Sequence, residues 1–194
     1  MRICYQRVKI LGLMLAAGLF SNQALSQQQS TATAATQAIV VMPIVITKST
    51  DLYFGRLVSV VGTVSISAET GARTSTNSAN LITTLGTTNA PGRATFTVRG
   101  EPGLVYDISA TDSEITLANS SNSALLTVTL TGVHVLSTSA TGTAATATSG
   151  TLSTGGSTGG SDTLGIGGSL TLAEGTPSGT YANPAGISLT VNYN

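Results

Sequence analysis

Apolar and polar residues alternate along this chain with a period of two, in one segment after another. In "GISLTVNYN", Ile187, Leu189, Val191 and Tyr193 fall on one side, and Ser188, Thr190, Asn192 and Asn194 on the other. That pattern marks a strand with one buried and one wet face. Chain ends ordinarily fray, so a terminal segment patterned this cleanly is expected to be paired. "RATFTVRG" places Phe96 and Val98 on one face, and "EPGLVYDIS" follows a Pro-Gly turn with Leu104, Tyr106 and Ile108. "EITLA" gives Ile115 and Leu117. "ALLTVTLTGVHVLS" gives Leu126, Val128 and Leu130, a break at Gly132, then Val133 and Val135. "SDTLGIGGSLTLAEG" gives Leu164, Ile166, Leu170 and Leu172.

The first strands are less regular. "AIVVMPIVIT" is densely β-branched but carries Pro43, which cannot donate to a ladder. The run therefore reads as an edge strand or as two short strands joined at the proline. "DLYFGRLVSVVGTVSIS" continues with Leu52, Phe54, Val64 and Ile66, and Gly55 and Gly62 are natural places for a bend or bulge. No helical period occurs beyond the first 26 residues. Many short strands with turn signals between them predict an all-β, antiparallel sandwich or barrel over 43–194. Residues 27–42 read as an N-terminal arm, polar and small until the apolar Ile39, Val40, Val41 and Met42. The stretch 137–161 is nearly pure Thr, Ser, Ala and Gly, and is expected to be a long mobile loop within that domain.

Composition sharpens this picture. Only 8% of residues are charged, against roughly 25% in ordinary soluble domains. Thr, Ser, Gly and Ala take their place, which suits pleated sheets better than amphipathic helices. Residues 1–26 have the three parts of a secretory signal peptide. Arg2, Arg7 and Lys9 precede an apolar run over 10–20, and Ala24 and Ser26 supply the small residues of a cleavage site. Cleavage is expected after Ser26, with Ala24 the alternative. The apolar run is short for a transmembrane helix, so the mature chain is expected to have no membrane span. Of 8 basic and 8 acidic residues, three basic ones leave with the leader. The resulting net charge of −3 argues against nucleic-acid binding. Cys4 leaves too, so the secreted domain must hold without disulfides.

The inventory of reactive side chains is thin. His134 is the one histidine, so neither a catalytic dyad nor a multi-histidine metal site can be built on it. It alternates with Val133 and Val135, so it is expected on the solvent side of its strand. "GGSTGG" and "GIGG" lack the Lys-Ser/Thr of a phosphate loop. Asp112 and Glu114 read as a solvated turn, and Asn119-Ser120-Ser121, a glycosylation-type triplet, as a surface loop. "TGARTST" around Arg73 reads as a hairpin turn, with anion binding the less simple choice. No enzyme, cofactor or metal is expected.

Three segments carry a family resemblance. "AIVVMPIVITKSTDLYFG" leads into a Leu-x-Phe-Gly corner at Leu52, Phe54 and Gly55. "ATFTVRGEPGLVYDIS" is strand, turn and strand. "LGIGGSLTLAEGTPSGTYANPAGISLTVNY" holds a Gly-Gly strand, a Gly-Thr-Tyr corner at Gly179, Thr180 and Tyr181, and the terminal strand. Together they resemble the secreted bacterial family called domain of unknown function 4402, over nearly all of the mature chain. That family is similar to spore coat protein U and archaic chaperone–usher pilins, although the cysteines of many pilins are missing here. The resemblance implies an Ig-like, pilin-like sandwich completed by a donated strand. It implies a fimbrial subunit or adhesin at the cell surface, reached through the periplasm. Its partners would be copies of itself or sister subunits, a periplasmic chaperone and an outer-membrane usher. On this reading Ile39, Val40, Val41 and Met42 form the donor strand. Ile187, Leu189 and Val191 wall the acceptor groove, and Tyr193 is its last core or chaperone-contact residue. The alternative is a self-contained monomeric sandwich that binds a ligand at the cell surface.

Overall fold

The computed structural model describes residues 29–82, 90–110, 112–136, 146–154 and 159–194. The expected signal peptide lies outside the described residues. The chain divides into two compact units, Met1–Ile39 and Val40–Asn194. In the first, residues 29–39 carry no strand and are exposed.

The second unit is an all-β, antiparallel sandwich. Eleven strands are described: β1 (Val45–Thr50), β2 (Gly62–Ile66), β3 (Arg73–Ser75), β4 (Ala94–Gly100), β5 (Val105–Ala110), β6 (Glu114–Asn119), β7 (Leu125–Val135), β8 (Ser149–Thr151), β9 (Gly160–Leu172), β10 (Tyr181–Ala182) and β11 (Leu189–Tyr193). The larger sheet has the order β1-β4-β9-β7-β6-β10, with the β2–β3 hairpin attached to β9. The smaller sheet is β11-β5-β8. Burial follows the sequence period. Phe96, Val98, Ile115, Val128, Leu164, Ile166, Leu170, Leu172 and Val191 all point into the core. On the opposite face hydroxyls pair across strands, Ser49 with Thr97, Thr50 with Thr95 and Thr63 with Thr171. Threonine therefore replaces charge on the wet face of this sheet through cross-strand pairs.

The long β9 organises the larger sheet. Its first half, Gly160 to Ile166, pairs with β4, and its second half, Gly168 to Leu172, pairs with β2. Opposite, β7 slips register between Leu130 and Val133, where Gly132 adopts φ 85°. This bulge keeps Leu126, Val128 and Leu130, then Val133 and Val135, on the inner side, as the sequence break at Gly132 suggests.

Two apolar clusters result. The first lies between the sheets and joins Phe96, Val98, Val133, Leu164 and Ile166 to Tyr106, Ile108, Leu152 and Val191. Within it the Tyr106 hydroxyl donates to Asp162 Oδ2 at 2.6 Å, tying β5 to β9. Tyr106→Phe should cost about 1–3 kcal/mol at neutral pH, because a buried carboxylate loses one of its donors. The Tyr106 hydroxyl is pushed well above its ordinary pKa, first by burial, then by the hydrogen bond to Asp162 and that group's charge. A group whose folded pKa is raised contributes stability that is complete below its unfolded pKa, about 10 here, and is lost as pH climbs past it. Urea titrations should show this component falling by about 1.4 kcal/mol per pH unit above ~10, and Tyr106→Phe lacking it. Identical alkaline slopes in parent and variant would refute the assignment.

The second cluster joins Phe54, Val64, Ile66, Val128 and Leu170, flanked by Leu52, Leu57, Leu117 and Leu126. The smaller sheet contributes no residue to it.

Four expectations change. The β-branched run does not form a strand before Pro43; β1 starts at Val45 and is an edge strand, paired with β4 alone. The 137–161 stretch is not simply a loop: β8 lies inside it, pairs with β5, and is followed by Leu152, which is 1% exposed. Residues 137–145 and 155–158 of that stretch lie outside the described residues. His134 is 8% exposed rather than solvated, and its Nε2 has no hydrogen-bond partner among the described residues. It stands beside Gly165 in the middle of the sheet, where the Ala68 carbonyl and the Arg93 and Leu136 side chains crowd the glycine. Asn119 is buried at the end of β6. Its amide donates to the Ser178 carbonyl and its Oδ1 accepts from Ser121 N–H, so the triplet is a structural turn.

Candidate functional site

The terminal strand β11 pairs with β5 on one side alone. Asn194 N–H bonds to the Val105 carbonyl, and the register then runs Tyr193 to Tyr106, Asn192 to Asp107 and Thr190 to Ser109. Antiparallel pairs alternate between bonded and non-bonded, so Asn194, Asn192 and Thr190 turn their main-chain groups toward β5. Leu189, Val191 and Tyr193 turn theirs away, onto an edge that is hydrogen-bonded to no strand among the described residues and that β1 of the larger sheet approaches. The side chains of the same three residues point inward or lie half-buried.

A cleft of about 890 Å³ is lined in part by Ile187, two residues before β11 in the sequence. Its floor is the part of the larger sheet that carries Ile115, Leu117, Leu126, Val128, Leu170 and Leu172, residues that are buried or half-buried. One wall is the segment from Lys48 to Ser59, the other the segment from Thr176 to Ile187. Both corner motifs, Leu52, Phe54 and Gly55 and then Gly179, Thr180 and Tyr181, lie on this cleft. They come from opposite ends of the domain sequence and meet in one place.

The walls are braced by side chains that a motif search passes over. Arg73 donates to the carbonyls of Phe54 at 2.9 Å and Ile82 at 3.1 Å. This guanidinium holds the first wall, so the expected hairpin at "TGARTST" forms and its cation is spent on the backbone. Buried Asn80 donates to the carbonyls of Val58 and Val60. In the second wall Tyr181 donates to the Pro177 carbonyl at 2.8 Å, and Asn183 donates to the Thr116 carbonyl at 3.0 Å. Ser59 donates to the Thr176 carbonyl at 2.6 Å and joins the two walls. A single Arg (Arg73) and two Asn (Asn77 and Asn80) among Ser, Thr and Ala were the available sequence signals. None says which carbonyls it serves.

The proposed donor residues are conspicuous in a different way. Ile39 is 80% exposed and Val40 94%, and Val41 and Met42 are also exposed. Met42 is nonetheless fixed: its N–H donates to Glu101 Oε2 at 3.0 Å, and its carbonyl accepts from the Tyr193 hydroxyl at 2.7 Å. The structure thus places Met42 against its own domain and leaves Ile39 to Val41 uncovered. Asp112 and Glu114 form no paired acid site; Glu114 accepts from the Thr129 hydroxyl. Among the described residues no group of three or more His, Cys, Asp or Glu could hold a metal ion. Among them also, no helix is long and apolar enough to cross a membrane.

No curated protein and no solved structure shows significant similarity to the chain. A family model described as "Domain of unknown function (DUF4402)" matches residues 44–193, which span β1 to the end of β11 and so the whole sandwich with its cleft and open edge. The chain belongs to this family.

Proposed function

We propose that this chain is a secreted structural subunit of the cell surface, pilin-like, with a structural rather than catalytic role. It assembles when the N-terminal arm of a second copy lies along β11. The observation that carries this reading is the β11 edge left without a ladder partner, in a chain that also has an apolar cleft lined in part by Ile187, just before that strand in the chain, and an exposed, β-branched segment at 39–41. An unpaired strand edge is a liability that must be covered. An added strand covers it with main-chain hydrogen bonds, and its alternate side chains fill the cleft. A head-to-tail contact of this kind can run open-ended into a fibre. On this reading the chain crosses the periplasm to reach the surface, with a chaperone shielding the edge in transit and an usher in the outer membrane exchanging strands.

The cleft volume also falls in the range of small-ligand sites, about 300–1,000 Å³. That favours the second reading, a self-contained binding module. Deleting residues 27–42 separates the two. The shortened chain should stay folded by circular dichroism and remain monomeric, while the mature chain forms multimers in size-exclusion chromatography with light scattering. A synthetic peptide of residues 29–42 should raise the melting temperature of the shortened chain, contributing about 2.7 kcal/mol at a hundredfold excess over its Kd. Aspartate at Ile39 and Val41, or at Val40 and Met42, should abolish binding for the one pair whose face enters the cleft. A mature chain that stays monomeric at high concentration, beside a shortened chain that ignores the peptide, would rule out assembly through the arm.

A further inference from the structure

The cleft is apolar at its floor and carries little charge. Among the described residues that line it, Lys48, Asp51 and Arg56 are the charged ones. Lys48 Nζ lies 2.7 Å from Asp51 Oδ1, so these two offset each other. Arg56 is exposed on the first wall, and its guanidinium has no hydrogen-bond or ion-pair partner among the described residues. Arg73, by contrast, is spent on the carbonyls of Phe54 and Ile82. One free cation therefore stands beside an apolar floor. The main chain of the walls is largely taken as well. In the first wall the carbonyls of Tyr53, Phe54 and Arg56 accept from Gly92 N–H, the Arg73 side chain and Ile82 N–H. In the second the carbonyls of Thr176, Pro177 and Ser178 accept from the side chains of Ser59, Tyr181 and Asn119.

We infer that this cleft binds a free, single-chain amphiphile with an anionic head, in chemical class a fatty acid. Its hydrocarbon chain lies on the floor at Leu117, Leu126, Val128 and Leu170, and its carboxylate meets the Arg56 guanidinium. Charge selects the head. An unpaired guanidinium presents a planar fork of donors that matches a carboxylate on two bonds. The state of the walls selects the tail. A polypeptide lying within the cleft would bring N–H and C=O groups that need partners there, and the wall carbonyls already have theirs. A hydrocarbon chain brings no such groups. The volume, about 890 Å³, suits one such molecule. The bond from Ser59 to Thr176 joins the walls, so the site fits a molecule that has left a bilayer rather than a membrane surface. The inference goes beyond assembly and does not need it. An arm paired with β11 keeps its main chain on that strand, and its side chains would contest the same floor.

Isothermal titration calorimetry of the mature chain, below micelle-forming concentrations, tests this with dodecanoate, decanoate and decanol. Dodecanoate should bind once per chain. Decanoate, two methylenes shorter, should bind about tenfold more weakly. Decanol has the decanoate chain without the charge, and should bind about fivefold more weakly than decanoate. Arg56→Gln should remove that gap between acid and alcohol. Arg99→Gln, which alters an exposed cation outside the cleft, should keep it. Leu117→Gln, with its fold checked by circular dichroism, should weaken acid and alcohol alike. Equal affinity for decanoate and decanol, or a gap that survives Arg56→Gln, would overturn the carboxylate assignment. Binding that ignores chain length, or that a folded Leu117→Gln chain leaves unchanged, would overturn the cleft as the site. No binding of dodecanoate at millimolar concentration, or binding to phosphatidylglycerol vesicles alone, would overturn the inference outright. None of these outcomes bears on assembly, which the shortened chain decides separately.

Discussion

Gly167→Ala should destabilise the domain severely. Gly167 sits where β9 leaves β4 as partner and takes up β2, and the chain leaving β2 passes directly over it. A Cβ at this position would collide with the Ile66 carbonyl oxygen, and would lie 2.6 Å from the Ala68 nitrogen and 2.9 Å from the Ser67 carbonyl carbon. All three are main-chain atoms, so no side chain can rotate out of the way. Ile66 is itself buried and hydrogen-bonded in the β2–β3 hairpin. Overpacking a core ordinarily costs about 1–3 kcal/mol. With backbone on the receiving side the cost should exceed about 3 kcal/mol, much of the 5–15 kcal/mol that holds a domain together. Gly92→Ala is the control, since a Cβ there meets nothing within 4 Å, and should stay within about 0.5 kcal/mol of the parent. Urea unfolding followed by circular dichroism measures both. A Gly167→Ala chain with a parental midpoint would mean that the crossing of β2 over β9 is wrong.

Leu152→Ala should cost about 2–5 kcal/mol, the range for a buried leucine truncated in a core that cannot fully collapse. The local sequence, "SGTLSTGG", gives no hint of this. Leu152 lies in the first cluster with Tyr106, Val98 and Leu164, and its N–H bonds to the Leu104 carbonyl at 3.0 Å. It also closes over Gly160, where a Cβ would stand 2.8 Å from the leucine Cβ. Calorimetric melts of Leu152→Ala beside a Thr151→Ala control decide the point. Thr151 is exposed on β8 and should matter far less. Equal, small losses in the two variants would return this segment to the status of a loop.

The sandwich was legible because period-two alternation reports the wet and dry faces of a strand directly. Phe96 and Val98, Leu164 and Ile166, and Leu189 and Val191 all point inward as their spacing requires. The break in alternation at Gly132 coincides with the register slip of β7, because a local kink that preserves the inner face leaves its trace in the pattern itself. The corner motifs did not reveal that Leu52, Phe54 and Gly55 share one cleft with Gly179, Thr180 and Tyr181. Where alternation was weak the reading failed. A three-residue strand in a Ser/Thr/Gly stretch has too few apolar positions to show a period, so β8 was hidden.

His134 and Asn119 show the same limit for single residues. Alternation assigns a side chain to one face of its strand, and His134 does lie opposite Val133. It is buried because the covering of that face depends on segments remote in sequence. Asn119 is buried for a similar reason, through its bond to Ser178. By itself, then, the sequence determined the strands with a clear period, their inward faces and the replacement of charge by threonine and serine. Those properties follow from each residue and its near neighbours. Only the tertiary structure decided that β11 has one partner, that the second cluster lacks a covering sheet, and that Tyr193 holds Met42 across 151 positions of chain. Which edge stays open depends on the order of all strands in both sheets, and no local pattern encodes that order.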